Sequence, residues 1–235
     1  MVISWPSEIE KVYIICHNVK EKERYERLVK HLNEVGIPDS VIEFCAPVWG
    51  DELTNEIIFN VYDPFLVRPV PTLTFKGRGL SKGEISLGLN FYACIKDAVI
   101  HNYKQIMVLE SDIWLRDNFL QNLNDLMDDL RNKSWDYVSL GEGVGTRPPE
   151  APSSYYAKTK AYIPPHQFVY RCTDSMLFQL PYLQKLVTTF IPFREIIDWE
   201  LNFQNMIHNG KALWADPPLA EQGTCFNRLL TSLPS

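Results

Sequence analysis

Glu110 and Asp112 stand two positions apart at the end of a short apolar run, Ile106, Met107, Val108 and Leu109. Such a run reads as a buried strand. Side chains alternate faces along a strand, so both carboxylates are expected on one face, with Ser111 on the other. Open α/β sheets bind ligands beyond the carboxyl ends of their strands. Two acids delivered there suit a hard divalent cation, which takes oxygen ligands and often keeps a substrate's phosphate oxygens as well. The plainer alternative is that Asp112 only starts a turn.

The surrounding elements must position this strand. Residues 12–16 form an apolar, β-branched run expected to be the first buried strand, closed by His17 and Asn18. Tyr25, Leu28, Val29, Leu32 and Val35 recur at helical spacing, and Gly36 with Pro38 supplies a stop. Residues 41–46 read as a second strand. Between 51 and 80 the pattern weakens around Pro64, Pro69 and Pro71. Lys76, Arg78 and Lys82 there could cover a diphosphate or simply form a solvated basic loop. Ser81 and Glu84 stand at capping-box spacing before a helix reaching about residue 102, which gives Glu84 a structural role. Asp117 is expected to cap the next helix, through Leu130, and residues 135–140 to form a strand. A Gly/Pro/Ser/Tyr loop follows at 141–165, with Arg147 either a contact for an acidic ligand or a solvated side chain. Strands at 167–171 and 174–179, a helix begun by Pro181, a helix from Ile196 stopped by Gly210, and a strand at 212–215 complete the pattern. Alternating strands and helices of this kind imply an α/β sheet flanked by helices, in one domain over residues 1–235.

Bulk properties narrow the function. The chain is 46% apolar and 22% charged, as in ordinary globular proteins, and its net charge of −6 argues against nucleic-acid binding. Five scattered cysteines without framework spacing point to reduced thiols in a reducing compartment. No run approaches the roughly twenty apolar residues of a membrane span, and the first residues do not read as a signal peptide. A soluble, intracellular protein is therefore expected. The glycine fingerprint of dinucleotide folds, the phosphate loop, the nucleophile elbow and a helical histidine pair are all missing. A sheet that ends in paired carboxylates without a phosphate loop needs a metal to hold a diphosphate.

Several blocks, in order, resemble glycosyltransferase family 25, the group that includes lipooligosaccharide and collagen galactosyltransferases. They are the run at 12–15 with the helix carrying Arg24, the block from Ala46 to Gly50, and Gly83, Glu84 and Ile85. Next come Leu109, Glu110, Ser111 and Asp112, then residues 135–140, then Ile197, Asp198 and Trp199, and finally residues 216–222. Two positions depart from the family pattern: Ser111 replaces an acid, and Asn90 with Phe91 replaces Ser-His.

The resemblance implies a GT-A fold, a Rossmann-like mixed sheet binding a UDP-sugar through an acid-x-acid motif and Mn²⁺ or Mg²⁺. It implies an inverting transfer to a glycan or glycoprotein acceptor. Asp112 would be the direct metal ligand, and Glu110 a second ligand or a ribose contact. Asn18, Arg24, Ser111 and Gln222 would contact the nucleotide sugar. Asp198 would be the base, or only a helix cap, with Glu200 in reserve. Because the endoplasmic-reticulum signals of collagen-modifying relatives are missing, a bacterial cell or virus-infected host cytosol is the expected setting. The alternatives are a nucleotidyltransferase that makes nucleotide sugars, and a non-catalytic nucleotide-sugar-binding domain.

Overall fold

The computed structural model describes residues 3–65, 78–141, 160–164 and 172–225. Its sheet begins with β1 (Lys11–Ile15), whose burial is continuous from Val12 onward. After α1 (Lys22–Val35), Gly36 takes the left-handed conformation (φ 88°), and its N–H caps the carbonyls of Leu32 and Asn33. β2 (Ile42–Phe44) is shorter than the expected strand, because a 3-10 turn occupies Asp39–Val41.

A helix that the pattern did not announce, α2 (Asn55–Val61), follows. It buries no residue, so no hydrophobic period marks it in the sequence, and its start rests on Thr54 accepting from the Ile57 N–H. α3 (Lys82–His101) has the expected capping box, with both the Ser81 and the Glu84 bonds in place.

β3 (Gln105–Glu110) ends at Glu110, and β4 (Ile113–Leu115) begins three residues later. α4 (Phe119–Leu130) starts after Asn118, which sits at φ 59°, rather than after an Asp117 cap. β5 (Tyr137–Ser139) is followed by β6 (Lys160–Tyr162), a strand inside the stretch read as loop. The strand expected at 167–171 lies outside the described residues. β7 (Ser175–Gln179) runs directly into α5 (Leu180–Thr189), with Pro181 in its first turn. α6 (Ile197–His208) ends on left-handed Asn209, one residue before the expected glycine. β8 (Ala212–Asp216) and β9 (Ala220–Gln222) close the described chain.

Seven strands form one mixed sheet in the order β2-β1-β3-β7-β5-β8-β6, and β4 pairs with β9 in a separate two-stranded ribbon. β1 lies parallel between β2 and β3, whereas β7 runs antiparallel to both β3 and β5. The period-two alternation divides the core. Val12, Ile14, Met107 and Leu109 pack with α1 and α4 on one face. Tyr13, Ile15, Ile106 and Val108 pack with α3, α5 and α6 on the other. The result is the expected α/β architecture, a helix-flanked mixed sheet consistent with a Rossmann-like glycosyltransferase.

Leu123 of α4 has no exposed surface, at the centre of the first face. Leu123→Ala is expected to lower unfolding stability in urea by about 2–5 kcal/mol, and a loss under about 1 kcal/mol would mean that this face is not tightly packed.

Candidate active site

Beyond the ends of β1 and β3 lies a cavity of about 480 Å³. It brings together Arg24, Glu110, Ser111, Asp112 and Gln222, five of the residues singled out from sequence. A second cavity of about 220 Å³ shares Leu87, Glu110 and Gln222 with the first and adds Asp198, Glu84 and Thr173. Asn18 lies in the exposed turn after β1 and lines neither cavity. Glu200 is fully buried away from both, accepting from the Arg194 N–H at 3.0 Å and from Gln204 Nε2 at 2.9 Å. Those bonds make it a support for the start of α6.

The expected alternation stops two residues early. Because β3 ends at Glu110, residues 111 and 112 form a turn, and Ser111 faces the same cavity as the two acids. That turn is held from α1. Arg27 donates to the carbonyls of Ser111 and Ile113, each at 2.9 Å, while its guanidinium lies 5.2 Å from the Trp114 ring centre. Arg24 Nη1 donates to Ser111 Oγ at 2.8 Å.

The other support comes from the end of the described chain. β9 runs antiparallel to β4, pairing Gln222 with Ile113. The next residues therefore reach Asp112: the Gly223 N–H donates to its carbonyl at 2.8 Å, and Thr224 donates to Oδ2 through its hydroxyl and, at 3.4 Å, its N–H. Asp112 is 4% exposed, and its Oδ1 has no hydrogen-bond partner among the described residues. A buried carboxylate oxygen left without a donor is costly, which makes it the natural place for a cation.

Glu110 accepts a hydrogen bond from the Thr173 hydroxyl. Burial first, then the Asp112 carboxylate, push its pKa up to about 8, with Asp174 and Asp198 adding to the rise and Thr173 opposing it. Burial also raises the Asp198 carboxyl above the usual range, against the opposing hydrogen bond from the Trp199 N–H at 2.8 Å. Among the described residues, no three His, Cys, Asp or Glu side chains form a self-sufficient metal cage. Two carboxylates do fit a hard divalent ion whose remaining ligands are phosphate oxygens and water.

Sequence reasoning missed Arg27, Thr173, Asp174 and Thr224. Arg27 lies one helical turn from Arg24, on the helix already singled out for that residue, and could have been found. The two threonines and Asp174 carry no local signal. Asn90, one of the departures, is buried and bonds both the N–H and the carbonyl of Val48 at 2.9 Å. It thereby ties α3 to the loop that carries Trp49 and Gly50 into the first cavity. The basic residues of the 76–82 stretch separate. Lys82 lines the first cavity and donates to the Leu53 carbonyl at 2.8 Å, whereas Arg78 is engaged with Glu84; Lys76 and Arg147 lie outside the described residues.

The helix-flanked α/β sheet thus places acids at a strand end beside Arg24 and Arg27 of α1. Residues 9–167 match the model of glycosyltransferase family 25, described as an LPS biosynthesis protein family. The chain belongs to glycosyltransferase family 25. It is 30% identical over 140 residues to the human protein named inactive glycosyltransferase 25 family member 3, a match covering 58% of this chain and 22% of that one. A rat protein named probable inactive glycosyltransferase 25 family member 3 is 28% identical, with 56% of this chain and 22% of the relative covered. A Drosophila melanogaster glycosyltransferase 25 family member is 27% identical, with 57% and 21% covered. The chain spans about a fifth of the length of these curated relatives.

Glu110 sets a pH dependence for the fold. Its folded pKa of about 8 lies above the ordinary value of 4.5, so the folded state keeps a proton that the unfolded state gives up. Its contribution is fully present below the ordinary value and is lost as pH rises towards about 8; the raised Asp198 carboxyl acts in the same sense. Without metal, the urea midpoint is expected to fall between about pH 5 and pH 8, and Glu110→Gln to flatten that fall. Equal slopes in wild type and variant would assign the titration to another group.

Proposed function

We propose that this chain is a metal-dependent, inverting glycosyltransferase that moves a sugar from a UDP-sugar to a glycan or glycoprotein acceptor, working as one GT-A-type domain. The observation that carries the reading is the buried, unpartnered Oδ1 of Asp112 in a cavity that also holds Arg24 and Lys82. An anionic donor and a cation balance each other there, with Asp112 and Glu110 as the protein ligands of Mn²⁺ or Mg²⁺ and Arg24 and Lys82 on the diphosphate side. When bound, the ion neutralises the departing diphosphate as a Lewis acid. Gln222 borders both cavities, at the place where donor sugar and acceptor would meet.

Asp198 lines the second cavity and is read as the base. It takes the proton from the acceptor hydroxyl as the acceptor oxygen bonds to the anomeric carbon and the bond from that carbon to the diphosphate breaks, releasing UDP. Burial raises its pKa, which brings the carboxylate nearer to the acidity wanted of a base at neutral pH. Five free thiols support a reducing, cytosolic setting, and among the described residues no helix is long and apolar enough to cross a membrane.

A second reading has its own support. The human and rat relatives are named inactive and probable inactive, and residue 111 is not an acid in this chain. Under that reading the domain binds a nucleotide sugar without transferring it.

Release of UDP from UDP-sugars, tried across acceptors with Mn²⁺ present, separates the two readings, and release of pyrophosphate instead would indicate a nucleotidyltransferase. UDP with Mn²⁺ is expected to raise the melting temperature, and Asp112→Asn to abolish that response while leaving the unliganded melt in place. Asp198→Asn is expected to keep the response and to lose roughly 10²–10⁴-fold in turnover. A wild type indifferent to UDP and Mn²⁺ at millimolar levels would defeat both readings. Binding without turnover leaves the non-catalytic one standing.

A further inference from the structure

Glu21 stands in the turn before α1, with its carboxylate only 8% exposed on the wall of the larger cavity. Its Oε2 accepts the His17 N–H at the end of β1, at 2.9 Å. Its Oε1 accepts the Ser111 hydroxyl proton at 2.8 Å and lies 3.7 Å from Arg24 Nη1. Arg24 Nη1 in turn donates to the same Ser111 Oγ at 2.8 Å. The hydroxyl is therefore committed in both directions, its proton to Glu21 and a lone pair to Arg24. Residue 111 carries no charge of its own, and at this junction Glu21 places a carboxylate oxygen 3.7 Å from the Arg24 guanidinium.

We propose that Glu21 is a positioning residue of the donor site, which through Ser111 holds Arg24 in place for the diphosphate and supplies the charge that residue 111 does not. The inference rests on the donor-site reading above. It has one sharp consequence. A carboxylate at 21 and a carboxylate at 111 are alternatives: together they would place two like charges within hydrogen-bond distance, whereas either alone can pair with Arg24.

The test is calorimetric titration of the full chain with UDP and Mn²⁺, alongside unliganded melting curves. Glu21→Gln and Ser111→Asp, taken singly, are each expected to weaken UDP binding by roughly tenfold, while the double variant returns to within about threefold of wild type, a strongly non-additive cycle. The loss in Glu21→Gln is expected to be larger for UDP than for uridine, since Arg24 serves the diphosphate; a purely structural role would weaken both alike. Additive losses, equal losses for UDP and uridine, or unchanged UDP affinity in both single variants would overturn the proposal with the donor-site reading intact. A wild type that does not bind UDP removes the donor-site reading and this inference with it. If Glu21→Gln does not fold, Ser111→Asp in the native background decides: weakened UDP binding supports the proposal, and undiminished binding overturns it.

Discussion

Negative charge gathered at the end of β3 is the constraint that the rest of this structure serves. The Asp112 carboxylate, with Asp174 and Asp198 adding to the field, disfavours a second charge on Glu110, and burial of Glu110 disfavours it more strongly still. Such a cluster persists only where the surrounding groups over-determine it. Here the Thr173 hydroxyl holds Glu110, residues 223 and 224 hold Asp112, and Arg27 clamps the turn between them. What those donors leave open is one oxygen of Asp112, which has no hydrogen-bond partner among the described residues.

Three separate parts of the chain meet at that turn, and the topology explains how. β1 and β3 are parallel neighbours, so the turn leading into α1 and the turn after β3 emerge at the same sheet edge. α1 then lies on the sheet face it shares with α4, placing Arg24 and Arg27 over the turn. The β4–β9 ribbon returns residues 220–225 to the same point, across more than a hundred positions of sequence. A loop alone would not fix Thr224 on Asp112; the ribbon's backbone bonds set that register.

The opposite face of the sheet supplies the second cavity. α3 and α6 share its core, and together they present Glu84, Leu87 and Asp198 beside Glu110. α3 does double duty, since its Asn90 also clamps the loop of Val48 and Trp49 at the first cavity. Gly50 in that loop runs so close to the helix that a Cβ there would lie 3.1 Å from the Gly83 nitrogen. Close backbone contact and a two-bond asparagine clamp hold this part of the cavity wall, and Lys82 adds a bond to the Leu53 carbonyl just beyond it.

Much of this was legible in the chain itself. Continuous apolar runs marked β1, β3 and β7, because strands buried on both faces need no polar alternation. Helical spacing and local capping placed α1, α3 and α6 to within a few residues, and the acids after Leu109 marked the end of the sheet where the larger cavity lies. These are local signals, set by burial period and by which backbone groups a nearby side chain can satisfy. Other features could be decided only in three dimensions. α2 buries nothing, and β4, β6 and β9 are too short to carry a period, so neither burial nor propensity announces them. The turn at Ser111 ended the alternation assumed from sequence. The separation of Asp198 from Glu200, two acids in one helical turn, depended on which of them α6 turned towards the cavity and which towards Arg194 and Gln204. Sequence determined that carboxylates would gather at a strand end. Only tertiary packing decided which donors would hold them and which oxygen would remain open, because those partners lie on strands and helices whose neighbours are set by the whole sheet.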